Sequence, residues 1–424
     1  MFDCLKEAAR NAPNQPAFER TTFKELDRLA DEMAFTLEKS KIRAGDRIAF
    51  YHPPKPEVAA LFFAAWRIGA SICPLSLRIP PSQIEAHLIR LDARAYIDSF
   101  PLAPRIRDTT FTLSFPATLL FTSGSTGLPK IAVLSLANLL SNAKPAIQSL
   151  NLRASDRWLL NLPLYHVGGI GILMRCIRAE ATVVLNPGDP EITHISAVPT
   201  QLYRATPIYK NLQCLLIGGA PISSYPDKLP CYLSYGLTEM GSLVAASYKP
   251  EGSAPFSLGW PLPEREMRLS PFDEIEVRGN CLFEGYWEEG RIEKPLNKDG
   301  WFATGDIGRI TEGGISILGR KDWQFISGGE NIQPEEIEQQ LLALPGVLEA
   351  AIVPVDDPEF GKRPAAILRA SGQASDPAYL KDALLERLPK FKIPIRFCFV
   401  NELPKTGLKI NRKVITDMAN KTFN

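Results

Sequence analysis

The most informative stretch of this 424-residue chain is LLFTSGSTGLPK, residues 119–130. It runs from apolar, strand-like residues into a series of glycines and small hydroxyl-bearing residues, and it ends at Lys130. Glycines permit backbone conformations in which successive N–H groups face one anion, and the hydroxyls and the lysine add further donors. A Walker A sequence, G-x-x-x-x-G-K-[ST], is absent here. The pattern predicts a loop that holds a polyphosphate, and an ordinary solvated turn is the alternative.

The residues around this loop indicate an α/β fold. Up to about residue 245, helix-like stretches such as FKELDRLADEMAFTLEKS alternate with short apolar strands such as RIAFY, RWLLNLP and CLLIGG, an order typical of largely parallel sheets. From about 250 to 320 the strands become shorter and rich in glycine, which predicts a small β-barrel. We therefore predict a large domain over residues 1–321, with two parallel-type α/β subdomains and the β-rich part, and a small α+β domain over residues 322–424.

Composition and charge exclude several classes of protein. Lysine and arginine total 48 and aspartate and glutamate 47, so the net charge of +1 is not that of a nucleic-acid binder. The longest apolar run, residues 58–66, is too short to span a bilayer, and the first residues do not form a signal peptide. The seven cysteines contain no C-x-x-C pair, which argues against a zinc site or a disulfide framework. We expect a cytoplasmic protein with small-molecule partners, and both a monomer and a homo-oligomer remain open.

Further motifs follow the loop along the chain. They are LPLYH at 162–166, GGAP at 218–221, YGLTE at 235–239, TGD at 304–306, GR at 319–320 and PKTGLKINR at 404–412. Together with TSGSTGLPK they resemble the adenylate-forming superfamily of acyl-CoA synthetases, carrier-protein adenylation domains and firefly-type luciferases. The resemblance covers almost the whole chain. It implies that ATP activates a carboxylic acid as an acyl-adenylate and that a thiol then displaces AMP.

The resemblance also assigns the parts of the nucleotide to particular residues. Glu239 would bind the Mg²⁺ that bridges the phosphates, since a hard cation prefers oxygen ligands, and Thr238 would reach the α-phosphate. Tyr235 would stack on the adenine, while Asp306, with Arg320 beside it, would accept hydrogen bonds from the ribose hydroxyls. The implied nucleotide-binding residues are Thr122, Ser123, Gly124, Ser125, Thr126, Gly127 and Lys130 at the phosphates, Gly218, Gly219 and Ala220 at the base, and Tyr235, Gly236, Asp306 and Arg320.

The carboxyl-terminal motif is implied to complete the reaction. Lys409 matches the family lysine that inserts between the attacking carboxylate and the α-phosphate, where it stabilises charge in the transition state. The family rotates its small, mobile carboxyl-terminal domain after adenylation, and Asp322 matches the hinge. Gly328 and Gly329 resemble the loop that then lines a tunnel for the thiol of coenzyme A.

The acid-binding side of the site is predicted around His166. The resemblance implies that His166 gates or positions the substrate carboxylate and that Thr200, Gly241 and Ser242 line the acyl site. Arg175 lies among apolar residues, and a buried arginine needs an anionic or strongly polar partner, such as a second substrate carboxylate. An arginine that reaches solvent or an internal carboxylate is the alternative. The stretch LPLYHVGGIGILMR resembles o-succinylbenzoate–CoA ligases of menaquinone synthesis, whose substrate is a keto-diacid with an aromatic ring.

Several other functions stay open at the level of sequence. They are another aryl- or small-acid CoA ligase, a stand-alone adenylation domain for a carrier protein, and a nucleotide-binding regulatory module without turnover. The joint presence of Lys130, Glu239, Asp306, Arg320 and Lys409 argues against the regulatory module.

Overall fold

A computed structural model describes most of the chain. The described residues are 3–111, 113–115, 117–122, 129–199, 201, 209–219, 222, 225–252, 255–406 and 409–423. Within these ranges, no helix combines the length and the apolar character that a membrane span requires. The seven cysteines are unpaired thiols and six of them are buried, so they act as small apolar side chains, as predicted.

Capping residues and prolines set where the helices begin. The described helices are α1 (Cys4–Asn11), α2 (Phe23–Lys39), α3 (Pro56–Arg67), α4 (Pro81–Leu91), α5 (Leu136–Ser149), α6 (Val167–Arg178), α7 (Pro334–Leu342), α8 (Pro377–Leu385) and α9 (Arg412–Phe423). Thr22 and Glu25 form a capping box at the start of α2, and Ser135 and Asn138 form one at the start of α5. Proline is the first residue of α3, α4, α7 and α8, where its missing N–H has no helical partner to lose.

The strands are short, and the central ones are buried along their whole length. Before residue 250 they are β1 (Pro16–Phe18), β2 (Thr21–Thr22), β3 (Arg47–Phe50), β4 (Ser71–Pro74), β5 (Ala95–Ile97), β6 (Arg105–Ile106), β7 (Ala117–Thr122), β8 (Lys130–Ser135), β9 (Arg157–Leu159), β10 (Thr182–Val184), β11 (His194–Ala197), β12 (Cys214–Ile217), β13 (Cys231–Leu237) and β14 (Ser242–Tyr248). After residue 260 they are β15 (Arg265–Leu269), β16 (Glu274–Gly279), β17 (Gly285–Glu288), β18 (Arg291–Glu293), β19 (Phe302–Thr311), β20 (Gly314–Arg320), β21 (Phe325–Ser327), β22 (Glu330–Ile332), β23 (Val347–Asp357), β24 (Gly361–Ala370), β25 (Arg396–Phe399), β26 (Lys405–Thr406) and β27 (Lys409–Ile410). Every residue of β3, β4, β11 and β12 is buried, as is typical of parallel sheets covered by helices.

Two eight-stranded sheets form the larger part of the molecule. The first has the order β14-β13-β12-β11-β9-β10-β1-β2 and is parallel from β13 to β1. The second has the order β18-β17-β8-β7-β4-β3-β5-β6 and is parallel from β7 to β5. One cluster of buried apolar side chains joins both sheets to helices α1, α2, α3, α5 and α6. The predicted α/β fold with largely parallel strands is confirmed.

The β-rich part differs from the predicted barrel. Strands β15, β16, β19 and β20 form an open antiparallel sheet in that order. The outer edge of β20 pairs with residues 258–259 and not with β15. The Leu258 N–H donates to the Ile315 carbonyl at 2.7 Å, and the Ile315 N–H donates to the Gly259 carbonyl at 3.0 Å. Strands β17 and β18 leave this unit and extend the second large sheet along β8. The described strands therefore form no closed barrel.

The residues after about 330 form an α+β unit with hydrophobic cores of their own. Its sheet has the order β23-β24-β25, with β23 antiparallel and β25 parallel to β24. Helices α7 and α8 contribute Ile337 and Leu380 to one buried cluster, and α9 contributes Ile415 to another. Strand pairs β21–β22 and β26–β27 form two small hairpins. The α+β structure predicted for these residues is present.

Arg47 is a buried cation at the start of β3. Its guanidinium donates to the backbone carbonyls of Leu91, Asp92 and Phe111, and it pairs with the Asp92 carboxylate at 2.7 Å. It also lies over the ring of Trp287 on β17, at 4.7 Å from the ring centroid. Removing the guanidinium would leave three backbone carbonyls without this donor and would deprive the Asp92 carboxylate of its cation, although the Thr110 and Phe111 N–H groups would still donate to that carboxylate.

We expect Arg47→Met to lower the free energy of unfolding by about 3–5 kcal/mol, because removing one partner of a buried ion pair leaves the other uncompensated. Arg28→Met is the matched control, since Arg28 pairs with Glu32 at the surface, where the two side chains are 68% and 54% exposed. That variant should lose about 0.5 kcal/mol or less. Urea unfolding followed by tryptophan fluorescence measures both losses. Losses of equal size in the two variants would show that the buried Arg47 contributes no more to stability than a surface ion pair.

Candidate active site

The chain passes close to β13 directly after strand β12. A Cβ atom on Gly218 would come within 2.4 Å of Ser234 Oγ, and that hydroxyl is fixed because it donates to the Ile217 carbonyl at 2.9 Å. Gly219 has a φ of +79°, in the left-handed region that glycine tolerates. Since neither glycine has a side chain, a flat ring can approach this backbone. Ala220, which was predicted to belong to the same wall, lies outside the described residues.

The Asp306 carboxylate joins three of the predicted residues. Asp306 on β19 lies opposite Arg320 on β20, and Arg320 Nη1 donates to Asp306 Oδ1 at 3.0 Å. The Tyr235 hydroxyl, on β13, donates to Asp306 Oδ2 at 2.6 Å. Burial, together with the charge and hydrogen bond of Asp306, raises the pKa of Tyr235 well above its usual value, so its hydroxyl remains a donor. Each carboxylate oxygen has a second lone pair for a further donor.

Arg320 links this carboxylate to the segment that enters the carboxyl-terminal unit. Its Nη2 donates to Asp322 Oδ2 at 3.2 Å, and its backbone carbonyl accepts a hydrogen bond from Gln333 Nε2 at 2.9 Å. Burial alone would lower the pKa of Arg320, but Asp306 and Asp322 raise it above its usual value. The predicted hinge residue, Asp322, therefore lies next to the predicted ribose site.

Glu239 and Lys130 contact the same aromatic ring. Glu239 lies in the 3₁₀ turn Thr238–Met240 after β13, and its Oε1 accepts a hydrogen bond from the Tyr286 hydroxyl at 2.7 Å. Lys130 Nζ lies over the Tyr286 ring, at 4.7 Å from its centroid. The predicted metal ligand and the predicted phosphate-binding lysine thus share one contact residue, Tyr286, which was not among the predicted site residues.

Strands β7 and β8 hold the two ends of the predicted phosphate loop. Thr122 and Lys130 are directly opposite each other in the antiparallel pair. Arg90 on α4 donates to the Pro129 carbonyl at 2.5 Å and lies over the Phe121 ring, so it fixes the residue before the lysine. The other predicted loop contacts, Ser123, Gly124, Ser125, Thr126 and Gly127, lie outside the described residues.

The carboxylate of Glu239 suits one kind of metal ion. Among the residues that the structure describes, no group of three or more His, Cys, Asp and Glu side chains could hold a metal by itself. Glu239 offers a single carboxylate, whose Oε1 is oriented by Tyr286. Such a site fits an ion that takes its remaining ligands from phosphate and water oxygens, and Mg²⁺ is an ion of this kind.

Arg175 lies on helix α6 and is buried, with 1% of its surface exposed. Its Nη2 donates to Ser242 Oγ at 3.0 Å, and its guanidinium lies 5.6 Å from the centroid of the Trp158 ring. In the described part of the chain no carboxylate lies within 4.0 Å of the guanidinium, and Nε has no hydrogen-bond partner. Burial lowers the pKa of Arg175 to about 10, so it is charged at neutral pH. The alternative of an arginine that reaches solvent or an internal carboxylate does not describe this environment.

The backbone next to Arg175 is held in an unusual conformation. Gly241 and Ser242 have φ angles of +66° and +123° at the start of β14. Asn142 is buried beneath them, and its amide donates to the carbonyls of Met240 and Leu243 at 2.8 Å each. The hydroxyl of Ser242 is thereby presented to the guanidinium, which places two of the predicted acyl-site residues beside Arg175.

His166 is exposed at the start of α6. Its ring centroid lies 4.7 Å from that of Tyr165, and Tyr165 lines an apolar cavity of about 210 Å³ at the carboxyl ends of β3, β4 and β9. Ligands of α/β proteins bind at the carboxyl ends of parallel strands. Thr200, which was predicted to touch the acid, lies outside the described residues.

The predicted thiol loop is the turn of a hairpin. Gly328 and Gly329 connect β21 to β22 with φ angles of +57° and +87°, as in tight two-residue turns. The Gly328 N–H donates to the Phe360 carbonyl at 3.0 Å. Lys409 begins β27, where its backbone pairs with Thr406, and the Lys409 side chain lies outside the described part of the chain.

Tyr286, Arg90 and Trp158 were not predicted from the sequence. The stretch EGYW at 284–287 contains Tyr286 but does not show what its ring contacts. The contact of a ring with a cation depends on which strands pair, and no local pattern marks that choice.

The chain matches the models of two protein-family domains. The AMP-binding enzyme family matches residues 5–114 and 108–287, and the AMP-binding enzyme C-terminal domain matches residues 336–409. The chain is 34% identical to the 2-succinylbenzoate–CoA ligase of Salmonella typhimurium, over 91% of this chain and 90% of that protein. It is 31% identical to the 2-succinylbenzoate–CoA ligase of Bacillus licheniformis, over 95% and 96%.

Solved structures of similar proteins share the whole fold. The o-succinylbenzoate CoA synthetase (MenE) of Bacillus subtilis, in complex with the acyl-adenylate intermediate OSB-AMP, has a TM-score of 0.83 and 27% identity, with 98% of both chains covered. A variant of Escherichia coli MenE with bound OSB-AMS has a TM-score of 0.82 and 30% identity, with 100% of this chain and 99% of that chain covered. The chain belongs to the AMP-binding enzyme family.

Proposed function

We propose that this chain is an ATP-dependent, AMP-forming acid–CoA ligase and that its acid is 2-succinylbenzoate. Relatives of that name match nearly the whole chain at 31% and 34% identity. The proposal of this acid rests on one observation: Arg175 is buried and has no carboxylate partner among the described residues. A diacid supplies one carboxylate for the reaction and a second one for this guanidinium.

The reaction has two half-reactions. In the first, a carboxylate oxygen attacks the α-phosphorus of ATP, the bond to the bridging oxygen breaks, and pyrophosphate leaves with the electron pair. In the second, the CoA thiolate attacks the acyl carbonyl carbon and AMP leaves, while the proton of the thiol passes to solvent. Since negative groups approach one another in the first step, the protein must supply donors and cations that are already in place.

We assign the nucleotide to the residues that meet at Asp306. The ribose hydroxyls would donate to the Asp306 oxygens, which accept hydrogen bonds from Tyr235 and Arg320 and retain lone pairs. The adenine would lie against Gly218 and Gly219. The remaining proposed contacts are Ala220, Gly236 and Tyr235 at the base, Thr238 at the α-phosphate, and the 122–127 segment with Lys130 at the other phosphates.

We assign Mg²⁺ to Glu239. The bound ion would neutralise phosphate charge and orient the phosphate chain for attack. Glu239 would contribute one carboxylate ligand, and Lys130 provides a separate cation over the face of the Tyr286 ring. The two positive charges are thereby available to different phosphate oxygens.

The proposed acid site lies between His166 and Arg175. Arg175 and Ser242, which are hydrogen-bonded to each other at 3.0 Å, would bind the carboxylate that does not react. His166, at the exposed start of the same helix, would position the one that does. Gly241 and Thr200 complete the proposed acyl site.

The proposed division of the chain is 1–321 and 322–424, with Asp322 as the hinge. It is supported by the separate hydrophobic cores after residue 330. The ion pair between Arg320 and Asp322 has 41% and 39% exposed side chains, so breaking it during a rotation would cost about 1 kcal/mol or less. The rotation would exchange Lys409 for Gly328 and Gly329 at the nucleotide.

The unpaired cysteines suit a reducing compartment, and we place the reaction in the cytoplasm.

Pyrophosphate release with ATP, Mg²⁺, CoA and a panel of acids tests the function. We expect release with 2-succinylbenzoate, and little with benzoate or succinate, each of which carries only part of the diacid. Equal rates with several aryl monoacids would indicate a different aryl-CoA ligase. Release that needs a carrier protein in place of CoA would indicate an adenylation domain, and no release with any acid would indicate a binding module.

We expect Arg175→Leu to raise the KM for 2-succinylbenzoate by about 30-fold or more, because the substrate loses a buried charge-assisted partner. The melting temperature should not fall, since the substitution removes a buried charge with no carboxylate partner among the described residues. Arg178→Leu is the control on the same helix, because Arg178 is partly exposed and pairs with Glu7. An unchanged KM in Arg175→Leu would remove Arg175 from the acid site.

We expect Lys409→Ala to slow acyl-adenylate formation by about 10²–10³-fold, in the range found when one transition-state donor is removed. Conversion of supplied acyl-AMP and CoA to the thioester should stay close to the wild-type rate. Lys413→Ala, at an exposed lysine on α9, should leave both half-reactions unchanged. Rapid-quench measurements of each half-reaction give the comparison, and equal losses in the two would refute the role of Lys409.

A further inference from the structure

We propose that Tyr286 is a positioning residue that holds Glu239 and Lys130 apart and aims both at one phosphate chain. This inference rests on the proposed function, because it assigns ATP and Mg²⁺ to those two side chains. It goes further by giving a defined task to a tyrosine that touches neither the acid nor the reacting atoms in the proposed mechanism.

The two contacts of Tyr286 use different parts of its side chain. Its hydroxyl donates to Glu239 Oε1 at 2.7 Å, and the face of its ring lies 4.7 Å from Lys130 Nζ. A phenol hydroxyl is protonated at neutral pH, so it donates to the carboxylate. The cation is attracted to the negative face of the ring at the same time.

The backbone fixes the place of Tyr286. Strand β17 pairs with β8, and Tyr286 lies opposite Ala132, two residues after Lys130. The Phe283 N–H donates to the Glu239 carbonyl at 2.7 Å, and the Phe283 ring packs edge-on against Tyr286 with 4.8 Å between centroids. The tyrosine is thus tied to both segments that it separates.

The separation matters because Glu239 and Lys130 carry opposite charges. In the described part of the chain the two do not form an ion pair within 4.0 Å. A direct pair would let each charge neutralise the other and would occupy the carboxylate that the metal ion needs. Because the hydroxyl of Tyr286 holds the carboxylate and the face of its ring holds the ammonium, the carboxylate stays available to a cation and the ammonium to phosphate.

Two substitutions separate the two contacts. Tyr286→Phe keeps the ring, so the packing on Phe283 and the contact between Lys130 and the ring face remain, but the hydrogen bond to Glu239 is lost. Tyr286→Leu removes both contacts and allows the two charges to pair. Tyr225→Phe is the matched control, because Tyr225 is also half-buried and donates one hydrogen bond, to the Pro250 carbonyl at 2.9 Å.

Calorimetric titration of the full-length protein with ATP, once with Mg²⁺ and once with EDTA, measures the effect without turnover. We expect Tyr286→Phe to weaken binding of Mg–ATP by about tenfold, as for loss of a hydrogen bond to a charged group, and to leave binding in EDTA unchanged. Tyr286→Leu should weaken binding under both conditions, and Tyr225→Phe under neither. The Mg²⁺ concentration for half-maximal pyrophosphate release should rise in Tyr286→Phe while the KM for the acid stays constant.

The outcomes distinguish this inference from the proposed function. Wild-type protein that binds no Mg–ATP, or releases no pyrophosphate with any acid, would overturn the proposed function. Active wild-type protein together with a Tyr286→Phe variant that binds Mg–ATP equally well would overturn only the role of Tyr286. Equal weakening in EDTA and in Mg²⁺ for Tyr286→Phe would also overturn it, because the hydrogen bond would then not act through the metal ligand.

Discussion

The Asp306 carboxylate is the contact on which the arrangement of the site depends. It accepts hydrogen bonds from Tyr235 at 2.6 Å and from Arg320 at 3.0 Å, so it joins the first large sheet to the open four-stranded sheet. The Arg320 carbonyl in turn accepts a hydrogen bond from Gln333, just before the first helix of the carboxyl-terminal unit. A ribose bound at Asp306 would lie where these three parts of the molecule meet. Partly buried, mutually hydrogen-bonded polar groups of this kind hold a defined geometry because each would be costly to leave unsatisfied.

Charge is the second constraint on this chemistry. A triphosphate and a carboxylate repel each other, so the proposed reaction needs positive groups from several elements at once. Lys130 lies at the start of β8, the proposed metal ligand Glu239 follows β13, and Lys409 begins β27. Arg175 lies on another helix, buried beside Ser242, where it would draw the second carboxylate of a diacid away from the phosphates. The same arrangement would thus bind the acid in one orientation and leave one carboxylate to react.

The sequence predicted element types and motif residues better than the pairing of strands. Tyr235 and Asp306 were both predicted from short motifs; they are 71 positions apart and form a hydrogen bond. Their roles remain predictions. The described strands close no barrel, since glycines mark where strands end but do not determine which edge each strand joins, and β17 pairs with β8. The contacts of Tyr286 depend on that pairing and had no local signature. The neighbouring residues in the sequence place Arg175 among apolar side chains, but only the packed structure shows that no described carboxylate accompanies it.

The most direct test of the central claim follows the oxygen atoms of the acid. If the carboxylate attacks the α-phosphorus, 2-succinylbenzoate labelled with ¹⁸O in its carboxylates will leave one labelled oxygen in each AMP molecule formed with CoA. Mass spectrometry of the isolated AMP measures this transfer. Unlabelled AMP, or label found in pyrophosphate or phosphate, would show that the acid is not activated as an adenylate and would contradict the account.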